Sequence, residues 1–92
     1  ERDKSIAELM MKLANMRSNL IYLDKQIDNN KKIIKELTEK QKSVHRLVSK
    51  QLASPIEENE ANIELLEQEI ELTKNSITAI AITKGIQILT TY

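Results

Sequence analysis

Few residues in this chain could do chemistry. His45 is the sole histidine of 92 residues and there is no cysteine, so acid-base or nucleophilic catalysis would have to be built on His45 with a group beside it to orient the ring. No Asp or Glu lies within one helical turn of it along the sequence, and its neighbour is Arg46. It reads as a solvated histidine at the edge of a helix seam. Glu57, Glu60, Glu64, Glu67 and Glu71 recur at 3-4 spacing and form one acidic stripe. A di-metal bundle would add Glu-x-x-His pairs, and the sequence has none. Residues 31–50 carry Lys31, Lys32, Lys35, Lys40, Lys42, Arg46 and Lys50 against Glu36 and Glu39. Such a run could meet phosphates, but it has one Arg and no aromatic ring for stacking.

These residues therefore predict no catalytic, cofactor-binding or metal site, no small-molecule substrate and no nucleic-acid partner; the chain is not expected to be an enzyme. Lys plus Arg and Asp plus Glu both total 14, so no net charge draws it to a polyanion. Without cysteine, a disulfide scaffold and thiolate-bound zinc are excluded.

What remains is helix. With Ile6 at heptad position a, the a positions read Ile6, Leu13, Leu20, Ile27, Ile34, Gln41, Val48, and the d positions Leu9, Met16, Leu23, Asn30, Leu37, Val44, Gln51. Eleven of these fourteen are apolar, the pattern of a supercoiled seam. Ser5 with Glu8 suggests a capping-box start. The heptad phase runs unbroken through Asn29 and Asn30, so one helix is expected over residues 5–52. Ser54, Pro55 and Glu57 then supply an N-cap, a proline at N1 and an acid at N3. A turn at 53–54 and a second helix over 55–85 follow, with residues 86–92 unassigned.

The second helix shows a stripe of Ile56, Asn59, Ile63, Leu66, Ile70, Thr73, Ile77 and Ile80, shifted by one residue from the first frame. Charge decides between a rod and a hairpin. Residues 57–71 carry seven Glu and no base. Folding at Ala53-Ser54 lays them along the basic run, whereas parallel unbroken helices would set Glu beside Glu. That fold point predicts Ile63 against Val44, Ile70 against Leu37, Ile80 against Ile27 and Lys40 against Glu67.

Polar residues within the seam, Asn30 and Gln41 foremost, read as devices that fix register, since a polar group there costs stability unless partnered. Met10, Met11 and Met16 cluster where the second helix would not reach, and flexible thioethers suit a surface that meets a partner.

Residues 77–92 are rich in Ile and Thr and carry only Lys84 as a charged side chain, so a small β-hairpin competes with helix there. Leu65, Leu72, Ala79 and Ile86 recur every seven residues, with Ile82 and Leu89 beside them, as a second apolar stripe. Helix is favoured to Gly85, which could cap it. A membrane span is not expected: Lys84 lies mid-stretch among Thr, Asn, Ser and Gln.

The predicted fold is all-α, a long coiled-coil hairpin of two antiparallel helices in a single region, residues 1–92, assembling into a four-helix bundle. Its partner would be itself or another helical chain, with a homo-oligomer favoured. The partner interface is expected at Ile6, Leu9, Met10, Leu13, Met16, Ala79, Ile82, Ile86 and Leu89. The function implied is a structural oligomerisation or scaffold module, a piece of a larger protein, cytoplasmic for want of a signal or spanning segment. Its rivals are a subunit-binding module of a tethering or secretion-type complex and, further off, a helix that inserts at a membrane through residues 77–92.

Overall fold

The structure, a computed structural model, describes residues 2–91. Two helices, α1 (Arg2–Ser49) and α2 (Pro55–Thr90), pack antiparallel. They make a rod 72 Å long and 17 by 15 Å across. The length is that of α1 itself, 48 residues at about 1.5 Å each. Its start lies ahead of Ser5, which stands inside the helix.

Both helix ends at the turn are closed by local hydrogen bonds. Leu52 N–H donates to the Leu47 carbonyl at 2.8 Å and Gln51 N–H to the Val48 carbonyl at 2.9 Å. This is a Schellman closure, and it requires the left-handed region at its hinge residue. Gln51 takes that role with φ 61°, a position where glycine would sit without steric cost. Three residues later Ser54, with extended φ −85° and ψ 152°, caps α2: its Oγ accepts the Glu57 N–H at 3.3 Å. Pro55 follows at N1, and Glu57 and Glu58 lie in the first turn, where the helix dipole favours acids.

The connection thus takes residues 50–54, and α1 ends at Ser49. That displaces the register by about one helical turn from the one implied by a fold at Ala53-Ser54. Lys40 pairs with Glu64 at 3.3 Å, not with Glu67.

On α1 the inner face follows the heptads: Leu13, Met16, Leu20, Leu23, Ile27, Ile34, Leu37, Gln41, Val44 and Val48 are half-buried and Asn30 is buried. On α2 the two stripes exchange the roles assigned from sequence. The residues withdrawn from solvent include Ala61, Leu65, Gln68, Leu72, Asn75, Ala79, Ile82, Ile86 and Leu89. Ile56, Ile63, Leu66, Ile70, Ile77 and Ile80 face outward.

Asn30 gives the physical reason. Its Nδ2 donates to Gln68 Oε1 at 3.2 Å and its Oδ1 accepts from Asn75 Nδ2 at 2.8 Å. Packed against the isoleucine stripe, the same buried amide would have met Ile70 and Ile77 and lost both bonds, a cost of about 1–3 kcal/mol. Ala61, Ala79 and Gly85 add small side chains on the favoured face, which lets the helices approach.

The end of α2 is helical through Thr90, past Gly85, whose φ is not positive. Gly85 is therefore a seam residue and not a cap. A Cβ built on it would come within 2.6 Å of Met16 Cε, so the methionine methyl occupies the space the glycine leaves. The Ile- and Thr-rich stretch is helix and not a β-hairpin, and the threonine hydroxyls of α2 bond back along it. Thr73, Thr78, Thr83 and Thr90 donate to the carbonyls of Glu69, Lys74, Ala79 and Ile86 at 2.8–2.9 Å.

Candidate protein-protein interface

α2 carries two apolar stripes on opposite sides. Each outward isoleucine precedes an inward residue by two positions: Ile63 and Leu65, Ile70 and Leu72, Ile77 and Ala79. Two residues are about 200° of helix, so what faces α1 and what faces solvent are nearly diametric. The outward six, Ile56, Ile63, Leu66, Ile70, Ile77 and Ile80, are 47–70% exposed. With Asn59 and Thr73, also exposed, they repeat at 3-4 spacing.

The residues predicted from sequence as the interface lie elsewhere and fall in three groups. Ile6, Leu9 and Met10 are exposed, and every described side chain over residues 3–12 is exposed, so this end of α1 projects past the end of α2. Leu13 and Met16 are half-buried at the edge of the paired region. Ala79, Ile82, Ile86 and Leu89, expected in the partner interface, lie half-buried on the side of α2 that faces α1.

Of the two register candidates, Asn30 is buried with two partners, while Gln41 is half-buried and makes no side-chain hydrogen bond among the described residues. Gln41 lines a shallow surface groove with Lys42, His45, Arg46 and Glu58. There the structure supplies what the local sequence lacks: His45 Nδ1–H donates to Glu58 Oε1 at 2.5 Å. Only the shifted register brings Glu58 to His45, and no sequence signal short of that register points to the pair. The dyad is open to water on the histidine side and is a cross-helix tie near the turn. Lys40–Glu64 is the ion pair between the helices among the described residues, and the His45–Glu58 hydrogen bond lies beside it. Exposed pairs of this kind contribute about 0.2–1 kcal/mol each.

Among the described residues no group of His, Asp and Glu is placed to hold a metal. No described helix is long and apolar enough to cross a membrane. The fold and its surface define a class: an extended antiparallel helical hairpin whose second helix bears an additional, uncovered coiled-coil stripe. Compared with protein families, with curated proteins and with solved structures, the chain finds no match.

Proposed function

We propose that the chain is a non-catalytic assembly module, a stiff hairpin that docks through the outward face of α2 onto another helical surface, a second copy being the first choice. The observation that carries this reading is the uncovered stripe from Ile56 to Ile80. Scattered exposed apolar residues are ordinary, but a contiguous row of this length at heptad spacing marks an interaction surface. The buried side of the hairpin supports the same reading. Among the described residues no large side chain is fully buried, and only Ala61 and Asn30 are buried. A seam so open contributes little hydrophobic stabilisation on its own.

Asn30 with Gln68 and Asn75 acts in this reading as the register pin of the hairpin, because any slip leaves a buried amide unpaired. Sedimentation of the whole chain tests the function. Mass above the 10.6 kDa monomer, rising with concentration to a discrete oligomer, is the expected result. A monomer at every concentration overturns self-assembly.

A second reading, binding of a different subunit, is favoured by the overhang, where Met10 and Met11 are 65% and 66% exposed beyond the end of α2. Deleting residues 1–11 separates the two surfaces: the oligomer persists if α2 carries it and is lost if the overhang does.

A further inference from the structure

We infer that the outward face of α2 is the seam of a twofold-symmetric antiparallel dimer, α2 lying against α2 of a second copy with the axis between residues 71 and 72. This rests on the assembly reading above and specifies its partner and geometry.

Within the paired part of the hairpin only α2 has such a face to offer. Along the paired part of α1 the exposed large apolar side chains are Ile21, Tyr22 and Leu47, which form no stripe. Self-association through the stripe must therefore bring α2 to α2. Direction follows from charge. A parallel pair would lay the seven Glu of residues 57–71 along the same seven in the other copy. An antiparallel pair lays them along residues 72–90, where the charged side chains are Lys74 and Lys84.

Register follows from the flanking positions. In an antiparallel seam the a residues layer against d residues, which allows registers one heptad apart. One register sets Glu67 against Glu67 and Glu69 against Glu69 of the second copy. Another, two heptads away from that, sets Lys74 against Lys74. The register between them sets Glu67 against Lys74 of the second copy, twice by symmetry, and no like charges face each other. It also layers Ile63 on Ile80, Leu66 on Ile77 and Ile70 on Thr73. Its axis falls within about a residue of the middle of α2, so nearly the whole 36-residue helix is overlapped. Apolar layering permits this register and its neighbours alike; charge and overlap select it.

Because the two stripes of α2 are opposite, the four helices lie in a row, α1, α2, α2 and α1, with both polar outer faces in water. A closed four-helix bundle needs its two contact stripes on adjacent sides of each helix, which α2 does not present.

The chain lacks cysteine, so introduced thiols report cleanly. Leu66→Cys and Ile77→Cys are made separately, and both sites are exposed in the hairpin, so folding is retained and checked by circular dichroism. On oxidation the mixture is expected to give a disulfide between the two variants, and neither variant alone should link to itself. Charge reversal is the independent measurement: Lys74→Glu should weaken the dimer tenfold or more, and adding Glu67→Lys should restore it. Self-linked Leu66→Cys, or rescue of Lys74→Glu by Glu69→Lys in place of Glu67→Lys, indicates a parallel pair and overturns the arrangement while leaving self-assembly standing. A dimer with no cross-link between the variants and no rescue likewise overturns it. A wild-type chain that sediments as a monomer overturns both.

Discussion

Replacing Asn30 by alanine removes a buried amide that holds one group on each side of it, Gln68 through its Nδ2 and Asn75 through its Oδ1. Both partners are only half-buried and regain water, so the loss is that of two hydrogen bonds and not of two stranded groups. The expected cost is about 1–3 kcal/mol, read as a lowered urea midpoint with an unchanged slope. The sequence marks Asn30 as unusual, because an amide at a d position interrupts an apolar seam. Its partners are not legible there. Finding Gln68 and Asn75 requires the register, and the register depends on how many residues the turn consumes. A Gln in the left-handed region is what hides this: Gln51 closes α1 as glycine commonly does, and nothing in its side chain announces it.

At the scale of the element, α1 was readable because its heptads are dominated by one face. The helix α2 was readable too, but not its inward side, because periodicity reports that a stripe exists and says nothing of which neighbour covers it. Two stripes of similar quality compete, and the choice is made by polar matching to Asn30 and by the small residues Ala61, Ala79 and Gly85. Gly85 shows the trade. In a helix interior glycine is disfavoured by about 0.8–1 kcal/mol against alanine. The only close neighbour of an added Cβ is the mobile end of Met16, which can swing aside. Gly85→Ala is therefore expected to stabilise the hairpin by roughly 0.5 kcal/mol in thermal or urea unfolding, the propensity gain less a small repacking cost. Destabilisation instead would mean that the helices cannot part by the few tenths of an ångström an alanine needs, and that close approach at this level outweighs propensity.

The whole molecule is a rod with a radius of gyration of 20.7 Å and, among the described residues, no enclosed interior. Two helices can each cover only one side of the other, and most of the apolar surface of α2 that α1 does not reach stays in water. Folding of such a chain is coupled to whatever covers that side, since a partner that binds only the folded hairpin adds its binding free energy to the folded state. With a second copy as partner the added stability depends on protein concentration, about 2.7 kcal/mol when the free copy is at a hundred times the dissociation constant. The melting temperature followed by circular dichroism should therefore rise with the concentration of the chain. Ile70→Glu, at an exposed site near the middle of α2, should remove that dependence and hold the melting temperature at the dilute-limit value of the wild type, with helicity at low temperature retained. A wild-type melting temperature independent of concentration would mean that the seam between α1 and α2 stabilises the hairpin unaided, and that the isoleucine face contributes nothing to its folding.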